Sequence, residues 1–242
     1  ISPRLDPAGN KQGSVLALED ISDVSKVKNT FKRYVSKQVV DELLGDDGKL
    51  NLGGEQREVT ILFTDIRGFT SMSEKMEPER VVTTLNEYFS DMIDIVFKHN
   101  GTLDKIIGDE LMVLYGAPIS GENDTQRAVE TAVEMQEKIK DLNKEREQRK
   151  EPPILVGAGI NKGLVVSGNI GSRDLMDYTV IGDTVNVASR LCAAAGPGEI
   201  MVSKSVYQTI KESFSSKKLS PIKVKGKEKK VPVFLVTHKK SK

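Results

Sequence analysis

A continuous run of apolar and β-branched residues at 59–66 (VTILFTDI) predicts a buried β-strand whose end carries the carboxylate of Asp65. Gly68 then loosens the backbone, and apolar positions at helical spacing follow from Pro78 to a stop at 100–101 (NG). A carboxylate at a strand end suits a divalent cation, and the backbone N–H groups of the following turn suit phosphate. The same position also suits an ordinary turn-forming or helix-capping Asp, so this strand alone assigns no function.

The remaining pattern alternates strands and helices. Strands are predicted at 102–107 and 111–115 around an acidic turn, then at 154–160, 163–167, 177–181 and 199–202, with a closing pair at 223–227 and 231–236. Helices are predicted at 124–150, 184–195 and 203–213. This strand–helix–strand–strand–helix–strand order predicts an α/β or α+β sandwich.

The first 56 residues follow a different pattern. A turn cluster at 6–10 and a short strand at 14–21 indicate that residues 1–22 are the remnant of an upstream regulatory module, because the ending LEDIS resembles the exit of PAS sensor domains. Residues 23–56 are predicted as a connecting helix over 23–44 and a glycine-containing loop over 45–56. A surface helix packed on its own domain is the alternative. The main domain is predicted at 57–240.

Composition narrows the class of protein. A hydrophobic content of 38%, a charged content of 29% and a formal net charge of +1 fit a soluble globular protein and give no electrostatic case for nucleic acid. The single cysteine, Cys192, excludes an internal disulfide and fits a reducing compartment, so a cytoplasmic location is expected. No apolar run approaches the roughly 18 residues of a membrane span, so no membrane segment is predicted in this chain.

Two groups of residues could carry chemistry. Asp65 and Asp109 both lie at the edges of predicted strands, where two neighbouring carboxylates would repel each other unless a divalent cation lay between them. Asn186 and Arg190 are four residues apart, so a helix places them on one face, where they could orient a sugar and offset the charge of a phosphate. Two unrelated turn acids and an ordinary surface pair are the alternatives.

Four segments together resemble the catalytic domain of class III nucleotidyl cyclases: 63–70 (FTDIRGFT), 101–109 (GTLDKIIGD), 159–163 (GINKG) and 177–191 (DYTVIGDTVNVASRL). The resemblance covers about residues 57–237 with the segments in the family's order. It implies a ferredoxin-like α/β (α+β) sandwich with an antiparallel-rich sheet flanked by helices, acting as a head-to-tail homodimer with active sites at the subunit interface. By contrast, the chain has no glycine-rich loop ending in Gly-Lys-Ser or Gly-Lys-Thr, which disfavours a P-loop NTPase.

The resemblance also implies residue roles. Asp65 and Asp109, with the backbone of Ile66, match the residues that hold two Mg²⁺ ions, with Mn²⁺ as a substitute. The turn that binds the triphosphate matches Ile66, Arg67, Gly68, Phe69 and Thr70. The two base-reading positions match Lys105 and Thr179. The ribose-orienting amide matches Asn186, the transition-state arginine matches Arg190, and a phosphate-binding lysine matches Lys225.

The base-reading pair favours ATP as substrate. Lysine can donate to adenine N1 and a threonine hydroxyl can accept from its N6 amine, whereas guanine presents the reversed pattern. Guanylyl cyclases typically carry Glu and a small polar residue here. The expected reaction is therefore ATP to 3′,5′-cyclic AMP and pyrophosphate, and the Lys105/Thr179 pair resembles a subgroup that includes bicarbonate-stimulated soluble cyclases. A guanylyl cyclase, a catalytically silent nucleotide-binding regulator, and a sensor module based on residues 1–44 are the alternatives.

Overall fold

The structure is a computed structural model that describes residues 2–15, 39, 53–172, 174–223 and 230–240. The chain divides into two compact units, 1–36 and 37–242. In the first unit, β1 (Ser2–Leu5) and β2 (Lys11–Val15) pair antiparallel across the predicted turn, where the Asp6 carboxylate accepts from the backbone N–H of Asn10 at 2.8 Å. The strand expected at 14–21 thus starts earlier and has a partner strand that the sequence pattern did not predict.

Other predictions for the N-terminal part fall outside the described residues. These are the remainder of the 14–21 strand and nearly all of the connecting helix at 23–44, of which the structure describes Val39 alone, as a helical and buried residue. The same holds for 45–52 of the predicted loop.

The second unit is a mixed α+β domain. Its elements are β3 (Gly53–Ile66), α1 (Phe69–Ser73), α2 (Pro78–Lys98), β4 (Thr102–Ile107), β5 (Glu110–Tyr115), α3 (Asp124–Gln148), β6 (Val156–Gly171), β7 (Met176–Ile181), α4 (Asp183–Ala194), β8 (Ile200–Ser203), α5 (Lys204–Ile210), β9 (Phe214–Lys218) and β10 (Val233–Lys239).

One sheet runs through this unit in the order β4-β5-β3-β6-β8-β10-β9, with β7 paired to the far half of β6. Each neighbouring pair among the first four strands in that order is antiparallel, and among the described strands only β6 and β8 pair in parallel. The segment β3-α2-β4-β5-α3-β6 with this order is the ferredoxin-like arrangement. The predicted fold class is therefore confirmed.

The sheet is covered on both faces, and alternate side chains of β3 point into two different core clusters. Leu62 and Ile66 belong to the core cluster that includes the buried residues of α2 and α3, whereas Ile61 and Phe63 belong to the cluster that includes Ala188 of α4. Asp65 follows the alternation of Phe63 and so lies on the α4 face. Among the described residues, no helix is both long and apolar enough to cross a membrane.

Several predicted boundaries are wrong, each because tertiary pairing outweighs the local pattern. Residues 53–56, predicted as loop, are strand because β3 pairs with β6 over its full length, from Gly53 opposite Asn169 to Ile66 opposite Val156. For the same reason the strands predicted at 154–160 and 163–167 are one continuous β6. The helix predicted at 203–213 ends at Ile210 and is followed by the unpredicted β9. The strand predicted at 223–227 lies mostly outside the described residues.

Candidate active site

Two predicted metal ligands, Asp65 and Asp109, come together at one end of β3. Asp109 follows Gly108, whose positive φ of 65° lets the β4–β5 hairpin turn tightly. Its Oδ2 accepts from the backbone N–H of Ile66 at 3.1 Å. Burial, followed by a side-chain hydrogen bond with Asp65 and the charge of Asp65, raises the pKa of Asp109 to about 6. Burial and the charges of both aspartates also raise the pKa of the adjoining Glu110 to about 7.

This donor set fits Mg²⁺. Two neighbouring carboxylates are hard oxygen ligands, and Mg²⁺ is usually bound through one or two carboxylates together with substrate phosphates and water. The raised pKa of Asp109 indicates negative charge that a divalent cation would offset. The described residues contain no group of three or more His, Cys, Asp or Glu side chains that could hold a metal ion. The remaining ligands would therefore come from phosphate oxygens and water.

Arg67 lies beside the carboxylate pair and connects it to α4. Its Nη2 is 2.6 Å from Asp65 Oδ2, and its Nη1 donates to the backbone carbonyls of Cys192 at 3.3 Å and Ala195 at 3.4 Å. A guanidinium at the C-terminal end of a helix satisfies carbonyls that have no partner within the helix. Arg67 thus neutralises part of the charge of Asp65 and anchors the end of α4 at the same time.

The predicted triphosphate turn is the junction between β3 and α1. Gly68 has a positive φ of 71°, and a Cβ at this position would meet no heavy atom within 4 Å. No side chain caps the N-terminus of α1, which begins at Phe69 and Thr70, so no capping side chain accepts from the backbone N–H groups of its first turn. Binding of phosphate to this turn remains a prediction.

The two predicted base-reading residues meet through a third residue. Lys105 Nζ lies 3.2 Å from Asp104 Oδ2, and Thr179 Oγ1 donates to the same oxygen at 3.1 Å. Lys105 Nζ also lies 2.5 Å from Asp177 Oδ2. Burial opposes the charge of Lys105, but the carboxylates of Asp177 and Asp104 together outweigh it and raise the pKa of Lys105.

A β-bulge in β4 explains how Lys105 reaches this position. Leu103 lies opposite Val113 and Lys105 lies opposite Met112, so Asp104 is an extra residue between two consecutive pairs. Leu103 packs against the core under α2 and α3, whereas Met112 belongs to the core under α4. The extra residue therefore places Lys105 on the α4 face, where β7 supplies Thr179.

Asn186 and Arg190 share one face of α4, as their spacing predicted. Both side chains are exposed, whereas the neighbouring Val187 and Leu191 are buried. Neither side chain makes a hydrogen bond or ion pair with another described residue, so no such contact joins Asn186 or Arg190 to Asp65 or Asp109. Lys225 lies outside the described residues, so its assignment as a phosphate ligand remains a prediction.

Sequence reasoning did not predict the contacts of four side chains in these clusters: Arg67, which it assigned only to the triphosphate-binding turn, and Asp104, Glu110 and Asp177. Asp104 carried a usable signal, because a carboxylate inside a predicted strand conflicts with strand propensity and indicates a bulge or a buried partner. Its side chain is only 1% exposed. The other three lie in or beside the recognised segments, but their contacts depend on strands and helices that are distant in the chain.

Comparison with known proteins identifies the family of this domain. A model of the adenylate and guanylate cyclase catalytic domain matches residues 54–237. An adenylate cyclase of Anabaena cylindrica is 34% identical over 239 residues, which are 94% of this chain and 46% of that protein. The chain spans less than half the length of the curated relatives it matches.

Two solved structures share the fold at similar identity. The adenylyl cyclase CyaB from P. aeruginosa is 36% identical with a TM-score of 0.75, and the match covers 77% of this chain and 97% of that chain. The guanylyl cyclase Cya2 is 38% identical with a TM-score of 0.71, and the match covers 76% and 94%, respectively. Because the family model matches residues 54–237, which are more than half of the chain, the chain belongs to the adenylate and guanylate cyclase catalytic domain family.

Proposed function

We propose that this domain is an adenylyl cyclase that converts ATP to 3′,5′-cyclic AMP and pyrophosphate. Overall similarity does not decide between ATP and GTP, since relatives of either kind match at comparable identity. The observation that carries the choice of ATP is the pairing of Lys105 with Thr179 around one carboxylate oxygen. A lysine ammonium cannot accept from the N1–H of guanine, so a bound guanine would leave polar groups unpaired.

The residues of this chain divide the chemistry among them. Asp65, Asp109 and the Ile66 carbonyl would hold two Mg²⁺ ions, or Mn²⁺ in their place. Bound Mg²⁺ would lower the pKa of the ribose 3′-hydroxyl and offset phosphate charge. Asn186 orients the ribose so that its 3′-oxygen can attack the α-phosphorus in line and displace pyrophosphate, while Arg190 stabilises the charge that develops on the α-phosphate.

The turn at Gly68, together with Lys225, binds the triphosphate. The amides at the start of α1 carry no capping side chain and can donate to phosphate oxygens. Holding the β- and γ-phosphates fixes the leaving group in line with the ribose oxygen, which lowers the entropic part of the barrier.

Each active site is assembled from two subunits in a head-to-tail homodimer. Within one chain, no described hydrogen bond or ion pair joins the cluster of Asp65 and Asp109 to Asn186 or Arg190. Large apolar side chains are exposed on the sheet edge and on β6, as expected for a surface that a second subunit covers. They are Ile106, Ile107, Leu164, Val166 and Ile181. In this arrangement one subunit supplies both aspartates and its partner supplies Lys105, Thr179, Asn186 and Arg190.

A product assay tests the substrate assignment. The purified chain is incubated with ATP or GTP and with Mg²⁺ or Mn²⁺, and cyclic AMP and cyclic GMP are measured. We expect cyclic AMP from ATP in excess over cyclic GMP from GTP. Preferred turnover of GTP would support the guanylyl cyclase alternative, and nucleotide binding without either product would support a silent regulator.

A mixing experiment tests the shared site. Asp65→Ala and Arg190→Ala should each abolish activity, yet a heterodimer of the two contains one intact site and should regain up to half of the wild-type rate per heterodimer. The matched control mixes Asp65→Ala with Asp109→Ala, which leaves both sites damaged and should give no recovery. Once subunit exchange has been verified, no recovery in the first mixture would contradict a site shared between subunits.

Stimulation by bicarbonate is a second, separate hypothesis. It is motivated only by the Lys105/Thr179 pair, which resembles the bicarbonate-stimulated subgroup. Rates of cyclic AMP formation with bicarbonate and with an equal concentration of chloride, at one fixed pH, would test it. Equal rates would remove bicarbonate from the proposal and leave the cyclase assignment unchanged.

A further inference from the structure

The threonine at the base-reading position has an ambiguity that its residue type does not resolve. A hydroxyl carries one donor hydrogen and two acceptor lone pairs, and its rotation decides which it presents to a ligand. A freely rotating Thr179 could accept from the N6 amine of adenine or donate to the O6 carbonyl of guanine. Some other group must therefore fix the hydroxyl if Thr179 is to discriminate between the two bases.

Asp104 is positioned to fix it. Thr179 Oγ1 donates its only hydroxyl hydrogen to Asp104 Oδ2 at 3.1 Å. Lys105 Nζ donates to the same oxygen at 3.2 Å, so Oδ2 acts as the acceptor for both side chains. The hydroxyl of Thr179 is then left with lone pairs alone, and these complement an amine but oppose a carbonyl.

The burial of Asp104 lowers the stability of the fold, which indicates that its contacts with Thr179 and Lys105 serve the function of the site. Its side chain is 1% exposed, and its Oδ1 is buried without a hydrogen-bond partner among the described residues. Burial raises the pKa of Asp104, while Lys105 and Thr179 counteract that shift. A buried carboxylate with one unpaired oxygen lowers the stability of the fold, and an apolar residue at this position of the strand would not.

Building on the proposed function, we infer that Asp104 is a specificity-determining positioning residue, which makes Thr179 an obligate hydrogen-bond acceptor and thereby selects adenine over guanine. Asp104 need not touch the nucleotide. It acts through the hydroxyl orientation of Thr179, and the bulge in β4 that contains it also sets the face on which Lys105 lies.

The test compares kcat/KM for ATP and GTP in variants of the full chain. Asp104→Leu keeps a similar side-chain volume and removes both acceptors, so Thr179 can rotate and donate to O6 of guanine. We expect the ratio of kcat/KM for ATP to that for GTP to fall about tenfold, the size of one mismatched neutral hydrogen bond. Lys105 keeps its ion pair with Asp177 at 2.5 Å, so discrimination at N1 persists.

Two further variants separate this role from a structural one. Asp104→Asn can place its carbonyl oxygen where Oδ2 lies and should retain the ratio to within about threefold. Thr179→Val should itself lower the ratio, and Asp104→Leu added to it should lower the ratio no further, because the hydroxyl that Asp104 orients is gone. If Asp104→Leu does not fold, Asp104→Ala leaves the bulge backbone in place and is measured in the same cycle.

The outcomes distinguish this inference from the proposed function. Equal losses of kcat/KM for both nucleotides in Asp104→Leu, or an undiminished change of the ratio in the Thr179→Val background, would show a structural role and overturn the inference alone. A wild-type chain that forms no cyclic AMP, or that prefers GTP, would overturn the proposed function as well.

Discussion

Gly159 sets how closely α4 can approach the sheet, and replacing it offers a sensitive test of the site geometry. A Cβ at this position would lie 2.0 Å from the backbone nitrogen of Cys192 and 2.6 Å from the backbone oxygen of Ala188. Both contacts are with helix backbone, which cannot rotate away as a flexible side chain could. Only movement of α4 as a whole, or distortion of β6, can relieve the overlap.

The size of the effect follows from these distances. Ordinary van der Waals contact begins near 3.4 Å, so Gly159→Ala requires the helix to retreat by about 1.4 Å. Overpacking of a close-packed core typically costs about 1–3 kcal/mol, and this contact should lie at the upper end. A loss of about 3 kcal/mol corresponds to a fall in Tm of roughly 6–12 °C for a domain of this size. Because α4 carries Asn186 and Arg190, a displacement beyond about 1 Å should also lower kcat about 100-fold.

The assay combines thermal unfolding with cyclic AMP formation at a temperature where the variant is folded. Gly196→Ala is the matched control, because its Cβ would approach only the flexible carboxylate of Glu199, at 3.2 Å, and should cost less than about 1 kcal/mol. A Gly159→Ala protein with a Tm within about 2 °C of wild type and unchanged kcat would refute the claim that this glycine sets the position of α4.

Two predictions concern the carboxylates. Arg67→Met removes the ion-pair partner of Asp65 and should destabilise the metal-free protein by about 2 kcal/mol. Added Mg²⁺ should then raise the Tm of the variant more than it raises the Tm of the wild type. An equal rise in Tm for the two proteins would contradict the role of Arg67. The pKa of Glu110 is raised from 4.5 to about 7 in the folded state. Between these two pH values the folded state binds more protons than the unfolded state, so without divalent cations the free energy of unfolding should fall as the pH rises from 4.5 to about 7. Glu110→Gln should flatten that fall, and identical profiles of Tm against pH would contradict it.

The sequence by itself determined most of the alternating strands and helices and the candidate residues for the chemistry. The apolar run at 59–66 determines a buried strand, and the four-residue spacing of Asn186 and Arg190 determines a shared helix face, because both patterns depend only on local backbone periodicity. Asp65 and Asp109 were identifiable as candidate acids at strand ends, whereas Lys105 and Thr179 were identifiable only through the resemblance of their segments to the cyclase family.

Tertiary structure alone decided how these residues meet. The extension of β3 back to Gly53 and the continuity of β6 depend on pairing between strands about 100 residues apart, which local propensity does not encode. The bulge at Asp104 reverses the face on which Lys105 lies, and a shift of one residue changes the face of every following side chain. The contact of Thr179 with Asp104 therefore depends on strand register, and the register is fixed only when the whole sheet packs between its helices.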